Sequence, residues 1–346
     1  MEYHQANKEA HQVVIHEGIV YDVREYAPEH PGGDHLILER LGRDITQDFE
    51  DSEHTKSARN IMADLPVIGK IIGDGSSTNS DTGKATTAGV STLYGLTLQS
   101  DKKYSFDYDR GLLYQIFTAE FTFEDYVNYI NEPKHLVNPI RDVRLFDHWF
   151  LEVCSKTSWW VIPVAWAPVI AFCFYHMWIL NFSYNPVLIL ADMGIGMFIW
   201  TLTEYCLHRF LFHGEDFWMQ AVPFNKWVWT AHFLFHGIHH SFPQDRMRLV
   251  MPPSLGYVIG FSDFYLHYVF FPREHSFNII VGGILGYITY DLMHFFMHHS
   301  NPKSGNLKTM KLYHMQHHYK FGTVGFGVSN KLWDHVFATT IDQKQE

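Results

Sequence analysis

The sequence has little cysteine, and its basic residues form no cluster. Three cysteines in 346 residues are too few for a disulfide scaffold or a cysteine-based zinc module. Lys and Arg total 26 against 37 Asp and Glu, which gives a formal net charge of −11. Because nucleic-acid binding needs clustered cations to neutralise phosphates, this charge balance argues against a nucleic-acid-binding protein.

The N-terminus also has no apolar core preceded by basic residues, so nothing in it resembles a cleaved secretion signal. We therefore expect the first region, residues 1–75, to stay in the cytosol. Its pattern predicts β-structure over 13–23, short helices over 37–49 and 54–65, and a closing strand over 66–72. This mixture is typical of a small α+β domain. Residues 76–100 continue a stretch rich in Gly, Ser and Thr, which predicts a flexible linker.

The first region contains the motif His30-Pro31-Gly32-Gly33, followed by GRDIT, Phe49 and a second histidine, His54, in EHTKSA. Over residues 13–73 this string resembles the cytochrome b5 family. The resemblance implies one haem b with His30 and His54 as its two axial ligands. Two imidazoles fill both axial positions of the iron, which favours electron transfer over O₂ binding. Taken singly, His30 could cap the turn and His54 could be an ordinary helix-start residue.

A haem domain of this kind would have an apolar pocket and an acidic surface. The surface of residues 1–75 suits docking to a basic electron donor of the NAD(P)H-dependent cytochrome b5 reductase type. The residues expected to line the haem pocket are Leu36, Leu38, Ile45, Phe49 and Ala58.

Long apolar segments appear only from residue 158 onward. Residues 101–157 are aromatic and of mixed charge, which predicts interfacial or amphipathic helices. Residues 158–346 then form a predicted all-α membrane domain with about four spans, since each apolar segment is long enough at 1.5 Å per residue to cross a core of about 30 Å. The four predicted spans cover residues 158–180, 185–208, 250–271 and 276–297.

The charges of the connections predict how these spans are oriented. The short connections, 181–184 and 272–275, hold one basic residue, Arg273, while the other flanking cations lie on the side of the N-terminal region. By the positive-inside rule, both termini and a histidine-rich cap should be cytosolic.

Histidine is the residue type that is abundant, with 24 in the chain. Eleven of them fall in four windows, at 208–213, 236–240, 294–299 and 314–318. At about 100° per helical residue, the pairs His294/His298, His236/His239 and His314/His317 should each share a face. His208 and His213 are about 140° apart on an ideal helix, so a helix end or bulge should lie between them.

Adjacent histidines point apart, so the spacing HxxHH can aim two imidazoles at one metal ion and the third at another. This arrangement predicts a dinuclear centre. With one member of the His298/His299 doublet excluded, ten imidazoles remain. They suit two non-haem ions with five nitrogens each, for which we expect iron, although zinc and copper also accept imidazole.

The windows lie in TEYCLHRFLFH, HGIHHSFPQDRMRLVMPP, YDLMHFFMHHS and LYHMQHHYKFGTVGFGVSNKLWDHVFAT, and the pattern resembles the fatty acid hydroxylase superfamily, most closely the fatty acid 2-hydroxylases. The resemblance implies a monooxygenase of the endoplasmic reticulum membrane that uses O₂ to hydroxylate C2 of a long-chain fatty acid or acyl lipid taken from the bilayer. It implies that His299 is not a ligand. The implied metal ligands are His208, His213, His236, His239, His240, His294, His298, His314, His317 and His318.

Several other residues carry predictions of their own. Glu204 and Asp291 each precede a histidine by one turn, so either could accept the proton of that ligand's far ring nitrogen. Asp192 and Asp263 predict polar contacts between helices. Asp334 is predicted to be a helix cap or an indirect support of the site. The carboxyl or head group of the acyl chain is expected near Arg246, Arg248 or the tyrosines beside the metals. The other histidines with a prediction are expected to be interfacial or core residues: His148, His232, His267 and His335.

Two alternative functions remain at this point. A sterol desaturase or methyl oxidase uses similar histidine windows, and a membrane metal carrier or sensor could also use histidine clusters. The haem motif and the lack of a polar stripe along successive spans argue against the carrier.

Overall fold

The computed structural model describes residues 12–52, 54, 56–70, 106–134, 143–179, 185–300 and 302–341. The linker predicted over 76–100 lies outside them. The chain divides into two compact units, residues 1–105 with 136–141 and residues 106–135 with 142–346.

The N-terminal unit has the predicted α+β composition, and its described residues form three strands, three short α-helices and one 3-10 helix, Ala27–Glu29. Its elements are β1 (Val13–His16), β2 (Ile19–Asp22), α1 (Asp34–Leu38), α2 (Thr46–Asp51), α3 (Lys56–Asp64) and β3 (Val67–Lys70). The sheet is antiparallel in the order β1-β2-β3, with Val13 opposite Asp22 and Val20 opposite Gly69. Glu17 and Gly18 form the two-residue turn of the first hairpin, and both have positive φ, as a type I′ turn requires.

The single helix predicted over 37–49 is wrong, because that segment contains the end of α1, a loop and the start of α2. Gly42 interrupts the helical pattern with a φ of 74°, a left-handed conformation that suits glycine. The loop then follows β1, since the amide of Ile15 donates to Arg43 O and the amide of Ile45 donates to Ile15 O. The backbone hydrogen bonds that a continuous helix would have made are therefore made with the sheet.

In the second unit, helices are the only regular secondary structure among the described residues. Its α-helices are α4 (Leu112–Thr118), α5 (Phe123–Ile130), α6 (Trp149–Cys154), α7 (Val161–Ile179), α8 (Pro186–Cys206), α9 (Lys226–His232), α10 (Ile238–Ser241), α11 (Pro253–Phe270), α12 (Arg273–His299), α13 (Gly305–Tyr319) and α14 (Leu332–Val336). In the segment predicted to be interfacial, α5 begins with a capping box between Thr122 and Asp125, whereas α6 leaves Trp149 and Val153 exposed.

Four long helices, α7, α8, α11 and α12, run between the same two ends of a bundle. At the end that carries the histidines, the amide of Thr157 before α7 donates to Met247 O, and the amide of Met251 before α11 donates to Asp291 near the end of α12. At the opposite end, His275 at the start of α12 contacts Asp192 near the start of α8. Successive helices therefore alternate in direction.

Three of these helices are long and apolar enough to cross a membrane: Val161–Ile179, Pro186–Phe212 and His275–His299. They correspond to three of the four predicted spans. The remaining predicted span, residues 250–271, forms α11, which does not reach the same apolar composition because it carries tyrosines, serines, Asp263 and His267 among its 18 residues.

Glycines bring α8 and α12 into backbone contact. A Cβ on Gly196 would lie 1.9 Å from Ile279 O, and a Cβ on Gly282 would lie 2.0 Å from Met193 O. Small residues at such crossings let membrane helices approach closely. This contact fixes α8 against α12, and the histidines lie at the ends of these two helices.

Candidate metal centre

His30 and His54 face each other in the N-terminal unit, with ring centroids 6.4 Å apart. His30 Nδ1 lies 3.0 Å from Gly33 O, and His54 Nδ1 lies 2.8 Å from Phe49 O. Because a carbonyl oxygen only accepts, each Nδ1 donates and each Nε2 keeps its lone pair for a ligand. The separation of 6.4 Å leaves room between the rings for an iron bonded at about 2.0–2.1 Å to both nitrogens.

The surroundings of these two rings also fit a haem. A Cβ on Gly32 would lie only 3.0 Å from His30 Cε1, so the glycine of the motif makes room for the ring. Phe49 is buried and stacks on His54 with ring centroids 4.0 Å apart. The expected pocket residues Leu36 and Leu38 are 39% and 38% exposed, so they present apolar surface outside the protein core.

Two π-helical segments position the first two histidine windows in the second unit. The first spans Leu207–Phe212, and the amide of His213 donates to His208 O five residues earlier. Since i and i+5 lie one turn apart in such a segment, both imidazoles come to the same side, and the predicted bulge is confirmed. The second spans Phe233–Gly237 and delivers His236 beside α10.

All ten predicted ligands come together, in two adjacent groups. The first group consists of His239, His294, His298, His314 and His318, whose candidate ligand atoms lie within 4.8 Å of one another. The second group consists of His208, His213, His236 and His240 under the same limit, and His317 adjoins it with its Nε2 3.0 Å from His213 Nε2. Among the described residues, His299 is in neither group.

The helical pairing differs from the sequence prediction in two windows. His236 shares its group with His240 rather than with His239, and His314 shares its group with His318 rather than with His317. Residues i and i+4 are about 40° apart on a helix, whereas i and i+3 are about 60° apart. The smaller angle brings the i and i+4 imidazoles to the same group. The expectation that HxxHH serves two groups is nevertheless met.

Hydrogen bonds fix the proton on several rings. Nδ1 of His208 lies 2.6 Å from Phe326 O, Nδ1 of His294 lies 3.1 Å from Leu249 O, and Nδ1 of His317 lies 2.7 Å from Val324 O. Each of these Nδ1 atoms donates, so each Nε2 has a free lone pair directed into the cluster.

In the second group, two Nε2 atoms face each other without a proton between them. His213 Nε2 and His317 Nε2 are 3.0 Å apart, and both rings carry their proton on Nδ1, so two lone pairs face each other. A cation between them removes this repulsion. Ligands at right angles on a metal with bonds of about 2.1 Å are about 3.0 Å apart, whereas a tetrahedral angle gives about 3.4 Å. The same 3.0 Å separation recurs for His239/His294, His298/His314 and His314/His318.

Burial keeps these imidazoles in the neutral, ligating form. Burial, reinforced by the neighbouring histidines, lowers the pKa of the His317 imidazole to about 3. A neutral ring is the form that binds metal. Burial and the charges of neighbouring histidines likewise lower the pKa of His236, His239, His240, His314 and His318 well below the usual value.

The predicted roles of Glu204 and Asp291 are wrong, because neither carboxylate holds a ligand histidine. Glu204 accepts from the amides of Val328 and Ser329, and Asp291 accepts from the amide of Met251 and the hydroxyl of Tyr287. Backbone amides compete for these carboxylates, and backbone carbonyls hold the histidines instead.

Asp334 supports the same segment as Glu204 and is therefore an indirect support of the site. It accepts from the amides of Phe326 and Gly327. Together, Glu204 and Asp334 clamp residues 326–329, and Phe326 O in that segment is the acceptor for His208.

Among the described residues, the Glu215 carboxylate contacts a candidate ligand, and no prediction from the sequence named it. Its Oε1 lies 3.0 Å from His213 Nδ1, and its Oε2 lies 2.9 Å from Nε2 of His232, a residue expected only to be interfacial or buried. Burial raises the pKa of the Glu215 carboxyl, but the charges and hydrogen bonds of His213 and His232 outweigh burial and hold it well below its usual range. The available signal was an acid two residues after the second histidine of the first window.

The prediction that Arg248 binds a lipid head group is wrong. Its side chain is 4% exposed, and its guanidinium donates to Asp245, Glu152 and Val143 O, each at 2.6 Å. Arg246 is exposed. The prediction for Asp192 is confirmed, since it joins α8 to His275 and Asn278 of α12, while the Asp263 side chain lies outside the described part.

The long apolar helices and the two histidine groups indicate a membrane protein with a candidate metal centre, and a small α+β unit precedes it in the chain. Comparisons with known proteins agree. Residues 1–72 match the family model described as cytochrome b5-like haem/steroid binding domain, and residues 193–339 match fatty acid hydroxylase.

Full-length relatives extend the match over nearly the whole chain. The chain is 39% identical to the ceramide very long chain fatty acid hydroxylase of Saccharomyces cerevisiae, over 92% of this chain and 88% of that protein. It is 30% identical to fatty acid 2-hydroxylase of Rattus norvegicus, over 94% and 90% respectively. The solved structure of full-length scs7p, in which only the hydroxylase domain is visible, matches with a TM-score of 0.62 and 39% identity, over 68% of this chain and 86% of that chain. The chain belongs to the fatty acid hydroxylase family, in the form that carries an N-terminal cytochrome b5-like domain, and it is an oxidoreductase.

Proposed function

We propose that the protein is a fatty acid 2-hydroxylase, which inserts one oxygen atom from O₂ at C2 of a long-chain fatty acyl group used in sphingolipids. The observation that carries the proposal is the pair of histidine groups at one end of an apolar helix bundle. The names of the relatives supply the substrate class and the position of attack.

The ten histidines would hold two non-haem metal ions, five nitrogens to each. The first group would hold one ion, and the second group with His317 would hold the other. Five nitrogens per ion exceed the four of a tetrahedral zinc site, which favours iron, and the Nε2 separations of 3.0 to 3.4 Å within the groups are short enough for a shared ion. We expect iron in the active protein, and zinc is an alternative occupant. When bound, a redox-active metal supplies the activation of O₂ needed to break an alkyl C–H bond, for which acid–base catalysis is insufficient.

The protein's own residues orient the ligands and exclude water. Phe326 O, Leu249 O and Val324 O keep the Nε2 lone pairs of three ligands directed inward, and Glu215 does so for His213. The ten imidazoles are all buried, so bulk water does not compete for the ligand positions.

The N-terminal unit would bind one haem b through His30 and His54 and pass electrons to this centre. Its acidic sequence suits a basic reductase of the NAD(P)H-dependent cytochrome b5 reductase type. A domain with both axial positions filled transfers electrons without consuming O₂ itself.

We propose four membrane spans, with α11 as the fourth. Helices α8 and α12 both end at the histidine end. If both cross the membrane, the chain must cross once in the opposite direction between them, and α11, which starts beside the histidine end, is the helix that does so. Both termini and the histidine cap would then be cytosolic, in the endoplasmic reticulum. The acyl chain would enter from the bilayer, with Arg246, which is exposed, available to its head group.

Expression in a sphingolipid-making cell without its own 2-hydroxylase tests this function. Mass spectrometry of ceramide acyl chains should show one added oxygen at C2 with the intact chain and with His335→Ala, an exposed histidine outside both groups. His30→Ala and His239→Ala should abolish the product. Unchanged ceramides together with an oxidised sterol would contradict the proposal and favour the sterol oxidase alternative.

A further inference from the structure

A chain of four buried side chains leads away from the second histidine group. It starts at His213, passes through Glu215 and His232, and ends at Tyr126 on α5, almost ninety residues earlier in the chain. Glu215 and His232 are each 4% exposed, and Tyr126 is fully buried. Side chains so well shielded from water have contacts that water does not replace.

The first contact fixes the ligand. Glu215 Oε1 lies 3.0 Å from His213 Nδ1, so Nδ1 donates and Nε2 is free for a metal. His208 and His317, in the same group, donate to neutral backbone carbonyls. A carboxylate partner makes an imidazole a stronger ligand than a carbonyl partner does. Glu215 thus gives the second group a negative charge close to its ligands.

The next contacts fix Glu215. His232 Nε2 lies 2.9 Å from Glu215 Oε2 and 2.6 Å from Phe212 O. Phe212 O only accepts, so Nε2 carries a proton and donates it there, and the same N–H lies against the Glu215 carboxylate, an electrostatic contact that favours the observed position of Oε2. Without this contact, the carboxylate would be free to rotate away from His213.

Tyr126 fixes the other side of His232. Its hydroxyl lies 2.7 Å from His232 Nδ1 and 3.0 Å from Trp229 O, and its ring stacks on Trp229. The hydroxyl also borders the second π-helix, since a Cβ on Gly237 would lie 3.2 Å from it. Helix α5 is therefore connected to the candidate metal centre through side chains alone.

We propose that Tyr126, His232 and Glu215 are a positioning relay that keeps the proton of His213 on Nδ1 and thereby sets the metal affinity of the second histidine group. The relay rests on the proposed function, since it needs His213 to be a ligand. It predicts that the two groups respond differently to the same substitution: the second group depends on the relay, and the first does not.

Metal content of the purified, detergent-solubilised full chain tests the relay. The wild-type protein should hold two non-haem metal ions, and Glu215→Ala should hold one. Tyr126→Phe should keep both but lose one to a competing chelator at about 10–100-fold lower chelator concentration, the usual cost of removing such an outer partner. Tyr129→Phe, the same change one turn further along α5, should behave as wild type.

Conservative substitution separates positioning from simple folding. Glu215→Gln keeps an oxygen that can accept from His213, so it should retain two metal ions. If Glu215→Ala and Glu215→Gln both lose both ions, the side chain serves only to hold the fold and the relay is overturned. If Glu215→Ala keeps two ions with unchanged affinity, the relay is also overturned while the proposed function stands. A wild-type protein without non-haem metal would instead contradict the proposed function, and the relay with it.

Discussion

His239 and His240 are neighbours in the chain, yet their imidazoles belong to different groups. The candidate ligand atom of His239 lies in the first group and that of His240 lies in the second, and the two ring centroids are 5.9 Å apart. One turn of α10 thus contributes to both halves of the centre, and the two halves can be disrupted separately.

Single substitutions at this pair should each remove one metal ion. His239→Ala should empty the first group and leave the second filled, and His240→Ala should do the reverse. Each substitution removes one of the five nitrogens of its own group and none from the other group. Elemental analysis of the purified chain measures the loss, and a metal-specific spectrum distinguishes which ion remains. His299→Ala, outside both groups, is the control; loss of an ion in that variant would show that the ligand of the doublet had been misassigned.

The haem site should be independent of the dinuclear centre. His30→Ala and His54→Ala should each abolish the absorption spectrum of a haem with two histidine ligands, since each removes one axial nitrogen. His16→Gln, in the same unit, should leave the spectrum unchanged. Non-haem metal content should stay at the wild-type level in all three variants, and a joint loss of haem and non-haem metal would contradict separate sites.

The contact between α8 and α12 should be intolerant of a single methyl group. In Gly196→Ala the new Cβ would meet Ile279 O at 1.9 Å, so the two helices must move apart, at a cost of about 1–3 kcal/mol or more for overpacking. Thermal unfolding of the solubilised chain measures this loss. Gly194→Ala lies in the same helix with nothing within 4 Å of its Cβ, so it should be neutral or slightly stabilising. Equal unfolding temperatures for the two variants would contradict the close contact.

Arg248 and Arg246 should behave in opposite ways. Arg248→Ala removes the cation that Asp245 and Glu152 share, while Lys156 still pairs with Glu152 at 3.3 Å, so the loss of the charged hydrogen bonds should cost about 1.5–3 kcal/mol of stability. Arg246→Ala, at an exposed position, should leave stability unchanged and raise the KM for the acyl substrate. Thermal unfolding together with steady-state kinetics separates the two effects, and a KM effect of Arg248→Ala without loss of stability would restore it as a head-group residue.

Much of this architecture follows from patterns in the sequence. The convergence of ten histidines was predictable because their spacing repeats at helical intervals near the ends of apolar segments. The π-turn between His208 and His213 was predictable because a regular helix cannot bring residues five apart to one side.

Other features leave no such trace. The acceptors for His208, His294 and His317 are backbone carbonyls, which every residue has, so no side-chain pattern marks them. Glu204 and Asp291 looked like partners for histidines because they lie one turn away, but tertiary contacts brought backbone amides to them instead. Glu215 is followed directly by Asp216, and nothing in the sequence marks which of the two acids contacts a histidine.

The origin of the product's oxygen tests the central claim most directly. The full chain, carrying haem and metal, would be supplied with reductase, NADH and a long-chain acyl substrate under ¹⁸O₂. The account predicts a 2-hydroxy product with one labelled oxygen at C2, and no product from His239→Ala. Unlabelled product, or hydroxylation at another carbon, would contradict it.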